Sequence, residues 1–146
     1  MAEKKNIKFE IVTPERLVFQ QEVLQITVPT QVGEITILPE HIPLVSILKP
    51  GVLEIKTLNQ EMEIIAISGG FIEVLRDKVV ILADTAERAH ELDESRIESA
   101  RKRAEEAKAE ALSHEGYDLS AVAARLEVEM ARERALHKWR RLKNIK

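Results

Sequence analysis

A chain of 146 residues, 45% hydrophobic and 32% charged, describes one folded globular domain with room for an appendage, not a disordered protein. It has no cysteine, which excludes disulfides, thiolate metal sites and cysteine nucleophiles, and at 3% aromatics the core falls to Ile, Val, Leu and Ala. No long uncharged apolar run is present, so neither a transmembrane helix nor direct membrane insertion is expected; the start MAEKKNIKFE lacks a signal peptide's apolar stretch, which points to a cytoplasmic protein.

The first part of the chain is a series of short alternating or β-branched runs. They are IKFEIV (7–12), RLVFQ (16–20), EVLQITV (22–28), EITIL (34–38), LVSIL (44–48), GVLEIKT (51–57), EMEIIAI (61–67), GFIEVL (70–75) and DKVVILA (77–83). Their spacing predicts an antiparallel β-sandwich or barrel, with Leu58-Asn59-Gln60-Glu61 and Arg76-Asp77 as hairpin turns. Ser68-Gly69-Gly70 reads as a bend or bulge between strands, because it lacks the Gly-Lys-Ser of a phosphate-binding loop. Pro39-Glu40-His41-Ile42-Pro43 interrupts one apolar stretch. Glu40 and His41 could act as acid and base, yet no nucleophile or third group accompanies them, and two prolines favour a rigid corner.

All five prolines lie at or before Pro50, whereas alanine becomes frequent only after residue 83. From Asp93 the period is helical. Ile97, Ala100, Ala104, Ala107 and Ala111 form one stripe behind an Asp93 N-cap, with Glu98 and Lys102 at a supportive spacing. The stretch 113–117 should break the helix, with Gly116 in a left-handed position, and Asp118 or Ser120 should start a second helix. There Leu119, Val122, Ala123, Leu126 and Met130 make an apolar face, with Ala124, Val128, Ala131 and Ala135 beside it. The expected architecture is therefore an all-β sandwich over 1–86 followed by a hairpin of two antiparallel helices over 87–146. An alanine seam lets helices approach closely but buries little apolar area, so the hairpin should hold other surfaces loosely.

Charge is polarised. From Met130 onward seven basic residues face one acid, while the rest of the chain carries 15 basic and 24 acidic side chains. Such an end is drawn to acidic partners, although helix-dipole compensation explains it equally. Nucleic acid is not expected as a partner, because only Trp139 interleaves the basic residues. The four histidines share no zinc-helix spacing and no GxSxG is present, so neither a metal site nor a catalytic set is expected.

The run GEITILPEHIPLVSILKPGVLEI, followed by ISGGFIEVLRDKVVILADTAERAHELD, closely resembles the epsilon subunit of bacterial F-type ATP synthases. The resemblance spans nearly the whole chain. It implies a non-catalytic rotor subunit at the cytoplasmic face of the cell membrane. Its sandwich would bind the gamma subunit and the c-ring, coupling proton flow to ATP synthesis. Glu34 would be the leading c-ring contact, with His41, in the PxHxPL signature near the same end, as another. The hairpin would fold down against the sandwich or extend along gamma, and extended it would oppose ATP hydrolysis. Arg132, Arg134, Lys138, Arg140 and Arg141 would then meet the beta (and alpha) subunits. No cofactor is required, but a regulatory ATP is implied by a pattern similar to I/L-D-x-x-R-A at Leu92-Asp93-Glu94-Ser95-Arg96-Ile97, where Ile97 replaces the alanine. Glu87, Leu92, Asp93, Arg96, Arg103 and Arg134 fall at the family's nucleotide positions, and Met130 stands where another basic residue is expected.

Overall fold

A computed structural model of the chain describes residues 5–113 and 119–144. The alternating runs form β1 (Ile7–Val12), β2 (Leu17–Thr30), β3 (Gly33–Ile37), β4 (Leu44–Leu48), β5 (Gly51–Thr57), β6 (Met62–Ile67), β7 (Gly70–Val74), β8 (Lys78–Ala83) and β9 (Ala86–Arg88). The runs at 16–20 and 22–28 are one strand, not two. No turn-forming residue separates them, and the chain adjusts instead through a register slip against β5 between Val23 and Gln25. The first half of β2 pairs with β1 and the second half with β3 and β5, so this strand serves both layers of the sandwich. One layer runs β1-β8-β7-β4; the other holds β3, β2, β5, β6 and β9.

Inward-facing Ile, Val and Phe from both layers fill the core. Phe9, Ile11, Ile26, Ile55, Ile72 and Ile81 are fully enclosed, and Phe9 tilts against Phe19 with ring centroids 5.6 Å apart. Each such side chain contributes about 1.5–3 kcal/mol by leaving water. The hairpin turns lie where expected, closed by Thr57 N donating to Glu61 O and Leu75 N donating to Lys78 O. At the bend between β6 and β7, Gly70 has φ +141°, and a Cβ there would stand 2.1 Å from Leu82 O. Glycine is the only residue that lets β7 and β8 approach this closely.

Strand β9 was not expected, because Ala-Glu-Arg carries no alternating apolar signature. It is held by pairing with β6, and Arg88 stacks 5.4 Å over the Phe19 ring while donating to Val18 O. The boundary drawn between 86 and 87 consequently falls inside this strand.

Two helices follow, α1 (Glu94–Ser113) and α2 (Leu119–Leu142). Asp93 caps α1: its Oδ1 accepts from the backbone N–H of Ser95 and Arg96 and from the Ser95 hydroxyl. Of the expected break over 113–117, Ser113 is instead the last residue of α1, and the rest, with Gly116 and a start at Asp118, lies outside the described residues. Ile97, Ala104 and Ala111 bury the stripe of α1. In α2 the buried positions are Glu129, Ala131, Ala135 and Leu136, whereas Leu119 and Met130, expected on the apolar face, are 43% and 42% exposed. The reason is that α2 packs on two neighbours at once, α1 and the outer face of β5 and β6, and only the alanine side fits between them. Ile64, Ala66, Ala89 and Ala135 form this second small core, with Val52, Leu92 and Trp139 packed around it.

Candidate functional site

Three surfaces carry candidate functional side chains. The first is apolar and lies on the outer face of the β1-β8-β7-β4 layer. Leu17 pairs with Val12, Val12 with Leu82, Leu82 with Phe71, and Phe71 with Ile47, so one row of register partners crosses five strands. Leu17, Leu82, Phe71 and Ile47 each expose about half their surface, and Val45 lies further along β4 with 71% exposed. The row ends beside the β2–β3 turn, where Gln31 N donates to Ile47 O and Val32 is 94% exposed. Contiguous apolar surface of this kind marks a docking face.

The second surface is the loop system at the two ends of β3. Glu34 opens the strand, exposed, and lies opposite Pro29 in register. His41 follows the far end, where it neighbours Asn6 and the β7–β8 turn. The two are therefore not at the same end, as expected from sequence: β3 separates them, at about 3.3 Å per residue. The corner itself is rigid. Pro39 occupies the second position of a turn closed by His41 N donating to Leu38 O, and Glu40 sits third with φ +66°, the pattern of a type II turn. His41 Nδ1 lies 2.7 Å from Ile42 O and Glu40 pairs with Lys5 at 2.6 Å, so acid and histidine are committed to different partners.

The third surface runs along both sides of α2. On one side Glu87, Leu92, Asp93, Arg96 and Arg103 line a common groove of about 390 Å³, together with Ile97, Glu129 and Arg132. Five of the six residues at expected nucleotide positions thus converge. Arg134 does not; it faces the opposite groove, and Arg132 stands in its place. Two positions on a helix differ by roughly 200°, which sends them to opposite sides. Arg132 donates from Nε to Glu87 Oε1 at 2.8 Å and from Nη1 to Glu129 Oε1 at 2.5 Å. Glu129 is 93% buried, and its other oxygen, Oε2, has no hydrogen-bond partner among the described residues. Sequence reasoning missed Glu129, although a lone acid flanked by Val128 and Met130 was a visible signal. Asp93 is held below the usual carboxylate range, chiefly by the Ser95 hydroxyl and then by the Arg96 backbone N–H.

Three of the five basic residues expected to reach other subunits are committed in this packing. Arg132 holds Glu87, Lys138 holds Glu54 at 2.5 Å, and Arg140 holds Glu94 at 2.8 Å. The helices are further joined by Arg101, which grips both oxygens of Glu133 and is thereby raised above its ordinary pKa. No helix among the described residues is long and apolar enough to cross a membrane.

Residues 6–89 match the model of the ATP synthase delta/epsilon chain β-sandwich domain. The ATP synthase epsilon chain of Chloroflexus aggregans is 49% identical over 137 residues, covering 92% of this chain and 96% of that protein. That of Herpetosiphon aurantiacus is 52% identical over 101 residues, 69% of this chain and 74% of the relative. Among solved structures, a chain of the Euglena gracilis mitochondrial ATP synthase, determined with OSCP, F1 and c-ring, aligns with a TM-score of 0.77 at 26% identity, covering 90% of this chain and 82% of that one. A chain from the central stalk and c-ring of the Tetrahymena thermophila enzyme aligns at 0.61 and 15% identity over 92% and 99%, which shows the shared fold alone. With its sandwich matched to the family model and nearly its whole length aligned to a relative at 49% identity, the chain belongs to the ATP synthase epsilon-chain family.

Proposed function

We propose that this chain is a non-catalytic subunit of the central stalk, peripheral at the cytoplasmic face of a bacterial membrane, which joins the gamma subunit to the c-ring and so couples proton flow to ATP synthesis. The observation that carries this reading is the apolar row Leu17-Val12-Leu82-Phe71-Ile47 on an otherwise charged molecule. A row of half-exposed apolar side chains calls for a partner that covers it, and we assign gamma to it. The β2–β3 turn with Val32 and Glu34 would then face the c-ring, with His41 bracing the other end of the same layer edge. Replacing Phe71 and Leu82 together by Glu tests this. Both side chains are half exposed, so the sandwich should fold, and the variant should no longer copurify with gamma. Undiminished copurification would overturn the assignment.

The hairpin supplies regulation in the same reading. Arg132, Lys138 and Arg140 cannot serve Glu87, Glu54 and Glu94 and also meet acidic segments of beta or alpha subunits. Inhibition of ATP hydrolysis therefore requires the hairpin to leave the sandwich, exposing these cations with Arg134 and Arg141. This is a two-state equilibrium that any selective ligand shifts.

One observation favours a second reading of the same device, in which regulatory ATP holds the hairpin down: Glu87, Leu92, Asp93, Arg96 and Arg103 gather in one groove. Arg96 and Arg103 would take phosphates, and Glu87 or the spare oxygen of Glu129 would accept from an amino group of the base. Calorimetry with ATP on the full chain, beside Asp93→Ala and Arg96→Ala, checks this. Heat in the parent and none in the variants supports it; no heat at millimolar ATP ends it.

A further inference from the structure

The cations around α2 fall into two sets. Arg132, Lys138 and Arg140 are each paired with a carboxylate of the sandwich or of α1. Arg134, Arg141 and Lys49, at the β4–β5 turn, have no carboxylate within ion-pair distance among the described residues. These three unpaired groups face one groove of about 640 Å³ between the C-terminal half of α2 and the start of β5.

The arrangement follows from the sequence. Positions 134, 137, 138 and 141 share one helical face, so Arg134, His137, Lys138 and Arg141 project together. Lys49 comes from across the groove, held by its N–H donating to Pro29 O. Gly51 closes against Pro29, where a Cβ would stand 2.8 Å from the proline ring, so the turn carrying Lys49 is fixed. Two carboxylates also line the groove: Glu54, already neutralised by Lys138, and Glu34 at its rim. Four permanent cations against two acids leave an excess of positive charge. Convergent guanidinium groups on a concave wall repel one another until an anion lies between them, and their planar donors match the oxygens of phosphate.

We propose that this groove binds a phosphate group, bridging Arg134 and Arg141 of α2 to Lys49 of the sandwich and thereby favouring the packed hairpin. It is separate from the groove of Asp93, Arg96 and Arg103, because it opens on the opposite side of α2. The phosphate could be carried by a soluble polyphosphate or by an anionic lipid headgroup; the recognition chemistry is shared.

The test uses the full chain, isotopically labelled, titrated with tripolyphosphate and separately with vesicles of phosphatidylglycerol or of phosphatidylcholine. Amide shifts concentrated at 49–52 and 134–141 support the site. Arg134→Gln with Arg141→Gln should weaken binding, read at these amides, about tenfold or more, while Lys102→Gln with Lys108→Gln on the exposed side of α1 leaves it unchanged. All four side chains are exposed, and an unchanged far-ultraviolet spectrum confirms that each variant is folded. Response to tripolyphosphate identifies a soluble ligand. Response to phosphatidylglycerol vesicles alone identifies a headgroup. Binding to neither probe at millimolar concentration overturns the proposal, as do amide shifts confined to 93–103 instead of 49–52 and 134–141. ATP binding at the other groove is unaffected by either result.

Discussion

Glu87 and Arg132 lie 2.6 Å apart across 45 positions of sequence, and this contact ties the second helix of the hairpin to the last strand of the sandwich. Both side chains are about two-thirds or more covered, so the pair is neither a screened surface contact nor a fully desolvated one. Glu87→Gln should weaken packing by about 1 kcal/mol, a roughly fivefold shift toward the released hairpin. Hydrogen exchange along α2 should quicken while exchange in β1 and β8 stays fixed. Equal protection of α2 in parent and variant would show that the pair does not hold the hairpin.

Gly70→Ala should be among the most damaging single substitutions in the chain. The new Cβ would meet Leu82 O at 2.1 Å and Ala83 Cα at 2.8 Å, both backbone atoms that cannot turn aside. A cost of about 2–4 kcal/mol follows from strain plus displacement of β8. Gly33→Ala provides the control, since φ +128° is strained there too, yet nothing lies within 4 Å. Urea unfolding should show a clearly smaller loss for Gly33→Ala; equal losses would place the penalty in backbone conformation alone.

The contrast between those glycines shows what the sequence made readable. Alternation in IKFEIV and GVLEIKT gave the sandwich because one face of each is buried and period two survives. The unbroken buried run Ile64-Ile65-Ala66-Ile67 also carried information: β6 is covered by the core on one side and by α2 on the other. What remained illegible was register at a distance. Nothing local says that Ala86–Arg88 pairs with β6, or that Arg132 instead of Arg134 turns toward Asp93. Packing of α2 between α1 and the β5–β6 face sets that rotation, and the short motif at Leu92–Ile97 does not encode it.

Asp93 sets an acid limit on the hairpin. Its folded-state pKa is depressed by hydrogen bonds from Ser95 and Arg96, so its stabilisation is present above the ordinary value of 3.8 and is lost as pH falls through the lower folded value. Helicity should therefore be flat from pH 5 to 8 and show an Asp93-dependent loss only below about pH 4. Asp93→Asn keeps a capping oxygen and should abolish that acid-dependent component. An identical acid profile in Asp93→Asn would assign the transition to other carboxylates.

Ile97 separates two demands on one position. It is buried against α2 and also lines the Asp93–Arg96 groove, where the family pattern has alanine. Ile97→Ala should loosen the hairpin by about 2 kcal/mol through lost apolar contact. The same truncation opens space beside Asp93 and Arg96, so ATP should bind more tightly and restore protection of α2. A variant that loses packing yet gains no affinity for ATP would mean that Ile97 serves the core alone.

Ala135→Glu should produce a permanently released hairpin on an intact sandwich. Ala135 is fully buried where α2 meets Ile64, Ala66 and Ala89, a small apolar cluster. Burying an unpaired charge costs more than about 3 kcal/mol, which exceeds what a seam of alanines returns. Trp139, the single tryptophan, packs around the same cluster and reports the change directly. Its emission should shift to the red in Ala135→Glu, while urea unfolding of the sandwich, whose main core does not include Ala135, should move little. In the assembled enzyme this variant should inhibit ATP hydrolysis more strongly than the parent. Unchanged Trp139 emission would show that the helix accommodates the charge in place, and unchanged hydrolysis with shifted emission would separate release of the hairpin from inhibition.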